Sequence, residues 1–216
     1  MSDLTYTLVT DGSSDASLKT VLEWLLRANG VSCAIQGEWA DLRQLPRPPI
    51  RLEERIGEAA ALYPCELLFI HRDAEDESRE FRRSEIEAAV QAAKFDANAV
   101  PAWVSVIPVR MQEAWLLFDE MAIRRAVGNR YGTVPLQLPA LDRCEALADP
   151  KTRLFEVFRE ASGLGARRRA KLRVAMMTQR IAEYVEDFSP LRSLTAFTAL
   201  EQELREAIGR HRWDRR

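Results

Sequence analysis

Histidine and cysteine are scarce in this chain: two of the former, His71 and His211, and three of the latter, Cys33, Cys65 and Cys144, in 216 residues. Two histidines so far apart exclude a multi-histidine metal centre. Cysteines that are odd in number and form no CxxC pair argue against structural zinc and against a disulfide framework. No apolar run approaches the roughly 20 residues of a membrane span, and the start Met1-Ser2-Asp3-Leu4 lacks the basic residues of a signal peptide. The expectation is a cytoplasmic protein that does not enter a membrane. Neither a Walker sequence nor GxGxxG occurs, which leaves nucleotide-triphosphate hydrolysis by this chain alone unsupported. No serine stands in a GxSxG context.

What is present is an ordinary globular composition, 47% hydrophobic and 30% charged, long enough to bury one core with a helical extension. Net charge is only −2, but it is unevenly spread: residues 1–120 hold 12 Lys and Arg against 21 Asp and Glu, and residues 121–216 hold 19 against 12. An acidic first part and a basic second part suit a chain that holds a cation at one end and a polyanion at the other, or two lobes that attract each other or a partner.

The stretch Leu67-Leu68-Phe69-Ile70-His71-Arg72-Asp73-Ala74-Glu75-Asp76 runs from four apolar residues straight into ionisable ones. A buried strand delivering charge to the carboxyl edge of a parallel sheet has this pattern. Around it, β-rich segments at 5–10, 31–35, 65–70 and 103–109 alternate with helical periodicity at 16–28, from Pro49 to about Leu62, and at 80–94. That rhythm predicts βαβ units around a mainly parallel sheet flanked by helices, and Pro108 marks the fourth strand as an edge or terminal one. Residues 110–119 read as a buried helix start near the same sheet edge. Residues 129–141 read as a loop, and helices are expected at 151–161, 166–186 and 194–209, ahead of a frayed basic tail. The expected division is an α/β core over 1–128 and a loop and helical C-terminal region over 129–216.

If the strands are parallel, one edge receives Asp11 and Asp15, then Asp73 and Glu75, then Glu113. Converging carboxylates repel unless a cation lies among them, and hard oxygen donors suit Mg²⁺ or Mn²⁺. Alternatively Arg72 and Arg110, in the same loops, neutralise the acids and no metal is needed. His71 could activate water, bind a metal, or be a hydrogen-bonded structural residue. Arg167, Arg168, Arg169 and Lys171 could contact nucleic-acid phosphates or form a solvated helix face.

The ordered motifs Leu8-Val9-Thr10-Asp11-Gly12-Ser13-Ser14-Asp15, Leu67 to Glu75, Val109 to Leu117 and Asp149-Pro150-Lys151 resemble the prokaryotic domain-of-unknown-function family 4276. That family is similar to a divergent branch of the Toprim (topoisomerase-primase) fold, with members encoded beside ATPases in anti-phage defence loci. The resemblance covers nearly the whole chain. It implies a Toprim-like core, Mg²⁺ or Mn²⁺ as cofactor, and nuclease or nucleic-acid-processing activity, with an ATPase as a partner. By resemblance, Asp11 stands where the family has Glu and Asp15 matches the second acid. The Asp-x-Asp pair falls on His71 with Asp73 or on Asp73 with Glu75. Asp11, Asp73 and Glu75 are thus the expected catalytic residues, and Asp73, Glu75, Asp15 and Glu113 the expected metal ligands, with His71, Arg72, Arg110 and Lys151 nearby. The alternative is a catalytically silent Toprim-like module that docks on an ATPase.

Overall fold

Four strands, β1 (Leu4–Val9), β2 (Ile35–Trp39), β3 (Leu67–His71) and β4 (Ala102–Val106), pair in parallel in the order β2-β1-β3-β4. The structure, a computed structural model, describes residues 3–12, 14–95 and 100–216. Every residue of β3 is buried, as its unbroken apolar run requires of a central strand covered on both faces. Helix α1 (Leu18–Ala28) joins β1 to β2, α2 (Leu52–Leu62) joins β2 to β3 and α3 (Arg79–Ala92) joins β3 to β4. This is the α/β fold expected, of a kind consistent with Toprim, and a helical C-terminal region follows it.

Each face of the sheet has its own core. On one, Leu4, Tyr6, Leu8, Phe69 and Val104 pack with the buried stripe Leu18, Val21, Leu22, Leu25 and Leu26 of α1. Later helices complete that face: α4 (Glu120–Ala126), α5 (Pro150–Ala161), α7 (Val174–Tyr184) and α8 (Thr195–His211). Residues from both sides of position 128 therefore share one apolar cluster. On the other face Val9, Leu68 and Ile70 meet Ile56 and Ala59 of α2 and Ile86, Ala89 and Val90 of α3. The strand β4 is an edge strand, and α8 closes it: the Ser105 N–H donates to Glu203 Oε1 at 3.0 Å and the Ser105 hydroxyl to Oε2 at 2.7 Å. A carboxylate thus caps an edge that would otherwise invite another strand.

Several elements differ from the sequence expectation. The second strand is Ile35–Trp39 rather than 31–35, because Arg27 Nη1 donates to the carbonyls of Val31 and Cys33 and fixes that stretch as a turn. The next helix opens at Leu52, not at Pro49; the Glu54 carboxylate accepts the Arg51 N–H and sets its start. Residues 112–116 form a 3-10 segment rather than the start of an α-helix. The expected helix over 166–186 breaks into α6 (Ala166–Arg169) and α7, with the basic run 167–173 straddling the break. Like charges at helical spacing destabilise a helix, and no acid lies among them to compensate. The tail is docked rather than frayed: Trp213 is buried and Arg216 pairs with Glu66 at 2.7 Å.

Candidate functional site at the carboxyl edge

The strand order reverses direction at β1, since β2 lies on one side of it and β3 on the other. The crevice outside the carboxyl ends of β1 and β3 is therefore the topological switch point, where open α/β sheets take their ligands. Beyond β1, Gly12 donates its N–H to Asp15 Oδ2 at 2.8 Å. The approach is close: a Cβ on Gly12 would lie 3.2 Å from that oxygen. Asp15 belongs to the 3-10 turn Ser14–Ser17 that leads into α1. Ser13, part of the same motif, lies outside the described residues.

Beyond β3 the ladder continues past the strands. Arg72 N–H donates to the Val106 carbonyl, Ala74 N–H to Pro108 and Glu75 N–H to Arg110. Glu75 and Arg110 both take left-handed backbone, with φ of 55° and 61°, a costly conformation for residues with a Cβ that surrounding contacts must hold. This turn separates Glu75 from Asp73 and leaves the Glu75 side chain 64% exposed, 3.5 Å from Arg82 Nη2.

His71, the last residue of β3, is 1% exposed and stands between two acids. Its Nε2 lies 3.2 Å from Asp73 Oδ1. Its Nδ1 lies 3.4 Å from Asp15 Oδ2, an ion-pair distance whose alignment falls short of a hydrogen bond. Burial alone would depress the imidazole; Asp15 and Asp73 outweigh it and raise the pKa to about 10, which makes the ring an imidazolium at neutral pH. Asp73 Oδ1 also accepts the Gln112 N–H at 3.0 Å, and the Gln112 side-chain oxygen accepts from the Ser17 hydroxyl at 3.1 Å. Glu113 follows, 3% exposed, with Lys151 Nζ 3.9 Å from its Oε1. Burial pushes the Glu113 carboxyl up, and repulsion from Asp73 and Asp15 works against the opposing pull of Lys151.

Of the expected site residues, the edge therefore brings together Asp15, His71, Asp73, Glu113 and Lys151. Asp11 and Glu75 are directed elsewhere. Asp11 is held by Arg55 and by Arg72, the latter at 3.3 Å, and Arg110 holds Asp76 at 2.6 Å. Arg167, Arg168, Arg169 and Lys171 are all exposed, as is Arg173, and among the described residues none of these five is in an ion pair with an acid. Sequence reasoning missed Ser17, Arg55 and Arg82, which carried no signal, and gave no part to Gln112, a polar residue inside an apolar run.

The carboxylates have the right chemistry for Mg²⁺ or Mn²⁺, but their arrangement does not fit one. Among the described residues no three His, Cys, Asp or Glu side chains form a group able to hold an ion. Two oxygens sharing one Mg²⁺ at about 2.1 Å can be at most about 4.2 Å apart. Here Asp15 and Asp73 approach different nitrogens of one ring, and the imidazole stands between them.

Fold and edge together define an all-parallel α/β protein with a buried acid–histidine–acid bridge at its switch point. Set against protein-family models, curated proteins and solved structures, the chain has no match. Among the described residues no helix is long and apolar enough to cross a membrane.

Proposed function

We propose that this chain is a cytoplasmic, Toprim-like component of a nucleic-acid-processing system, one that holds a phosphodiester backbone on its basic segment and leaves bond cleavage to a partner. The observation that carries this reading is the contrast between the two charged regions. The sheet-edge acids are already matched by His71, Arg55, Arg72, Arg82, Arg110 and Lys151. Arg167, Arg168, Arg169, Lys171 and Arg173 are exposed and unmatched among the described residues, a ready surface for phosphates, whose binding releases counterions. Helix α7, which continues directly from this segment, packs on the turn Ser14–Ser17 beside the edge. The ATPase implied by the family resemblance is the natural candidate for the partner. The test is fluorescence anisotropy with labelled DNA and RNA duplexes, comparing the native chain with Arg167→Ala/Arg168→Ala/Arg169→Ala. Binding that the triple substitution leaves intact would remove the basis for the proposal.

A second reading, a Mg²⁺- or Mn²⁺-dependent nuclease, is favoured by the convergence of Asp15, Asp73 and Glu113 from three separate segments, with Lys151 partly open to solvent beside them. It requires His71 to leave the space between the acids. Incubation of single- and double-stranded DNA and RNA with the protein and either metal decides it: cleavage abolished by Asp73→Ala supports it, and no cleavage under any condition eliminates it.

A further inference from the structure

We propose that the ligand of the basic segment is nucleic acid with unpaired bases, and that Tyr131 is the platform on which one such base stacks. The inference rests on the reading of Arg167 to Arg173 as a phosphate-binding surface and adds the strand class to it. Tyr131 is 85% exposed. One aromatic side chain in water is ordinary by itself, but the loop that carries this one is pinned. Gly128 turns the chain out of α4 with φ of 77°. The Asn129 N–H donates to the Arg124 carbonyl at 2.9 Å, and the Gly132 N–H to the Asn129 carbonyl at 3.0 Å. The Asn129 side chain then donates to the Ala161 carbonyl at 2.8 Å, and the buried Arg124 donates to the carbonyl of Val134. Tyr131 thus sits on a turn anchored on both sides, with the Arg130 guanidinium 5.6 Å from its ring centroid.

The same contacts set Tyr131 beside the cations. A Cβ on Gly163 would lie 3.2 Å from Asn129 Nδ2, and Gly163 opens the link Gly163-Leu164-Gly165 into α6. Arg169 folds back on that link, its Nε donating to the Leu164 carbonyl. Only two residues, at most about 7.6 Å of chain, separate Tyr131 from Asn129. Arg130, and Arg159 on the last turn of α5, are exposed and in no ion pair among the described residues. The acids of α5 are already met: Glu156 and Glu160 face Arg153 at 3.0 and 3.7 Å. Cations alone hold any backbone. An aromatic face among them serves only a base that has left the helical stack, because a duplex presents base edges and phosphates and keeps its base faces against one another. Every base has such a face, so the platform implies strand class and not sequence.

Fluorescence anisotropy on the full chain in EDTA, with a labelled oligothymidylate and a mixed-sequence duplex of the same length, tests it. Tyr131→Ala is expected to weaken single-strand binding by about 5- to 150-fold, the range that one lost stacked base carries, and to leave duplex binding unchanged. Tyr131→Phe, which keeps the ring, should bind the single strand as the native chain does. The side chain is exposed, so neither change removes a buried contact. Arg167→Ala/Arg168→Ala/Arg169→Ala should weaken binding of both ligands. Single-strand binding that survives Tyr131→Ala, a loss of equal size on the duplex, or a native chain that binds duplex but no single strand overturns the inference and leaves the phosphate surface standing. Binding that the triple arginine substitution leaves intact overturns the surface itself.

Discussion

Replacing His71 with glutamine should remove a stabilisation that depends on pH in a defined window. The folded-state pKa is raised from 6.5 to about 10. A group with a raised pKa contributes its full stability below the unfolded value and loses it as pH rises through the folded value. The stabilisation is thus complete below pH 6.5 and gone near pH 10. At 1.36 kcal/mol per pH unit it amounts to on the order of 5 kcal/mol as an upper bound, since Asp15 and Asp73 share the titration. That is a large part of the roughly 5–15 kcal/mol that holds a domain folded. Urea denaturation of the native chain and of His71→Gln at intervals from pH 6 to 10 measures it. The native chain should be the more stable at pH 6, by several kcal/mol, and the gap should narrow steadily toward pH 10. Taking the difference removes the effects of lysines and tyrosines that titrate in both proteins. Two stability curves that run parallel from pH 6.5 to 9.5 would refute the imidazolium bridge.

Other substitutions probe the frame around the site. Glu113→Gln should raise the melting temperature at pH 7, because a carboxyl whose pKa is raised by burial favours folding when protonated and opposes it when ionised; a lowered melting temperature would mean that its ion pair with Lys151 is net stabilising. Glu203→Ala should cost about 1–3 kcal/mol by stranding the buried Ser105 N–H and hydroxyl. The same change uncaps the β4 edge, so light scattering should report increased self-association. Gly37→Ala should cost about 1–3 kcal/mol in chemical denaturation by overpacking: the new Cβ meets the Tyr6 ring, which is held edge-on to Phe69 at 5.3 Å and hydrogen-bonded to Glu23.

The parallel sheet was legible because β1 and β3 are apolar runs bounded by turn residues and the helices between them keep a clear period. The second strand was not, since Ile35-Gln36-Gly37-Glu38-Trp39 carries glycine and charge in a strand half open to solvent; its place comes from pairing with β1. The helix break at 170–173 follows from charge repulsion that a count of apolar positions does not register. For the site, the βαβ order alone placed Asp15, Asp73 and Glu113 on one edge. It could not decide between His71 and Glu75 as the neighbour of Asp73, because the decision rests on the left-handed backbone at Glu75 and on its long-range hydrogen bond to Arg110. Nor could it separate Asp11 from Asp15: Arg55, from α2 beyond the second strand, draws the first aside.

Unmatched charge on the basic segment, rather than at the sheet edge, is what the proposed function requires, and the salt dependence of duplex binding in EDTA measures that. Each phosphate contact contributes about −0.9 to the slope of log K against log salt on double-stranded DNA, so engagement of most of the five basic residues from Arg167 to Arg173 predicts a slope of roughly −3 to −4. The slope should collapse in Arg167→Ala/Arg168→Ala/Arg169→Ala and be indifferent to added Mn²⁺. Binding that appears only with Mn²⁺ or Mg²⁺, and that Asp73→Ala abolishes while the arginine substitutions do not, would contradict the account.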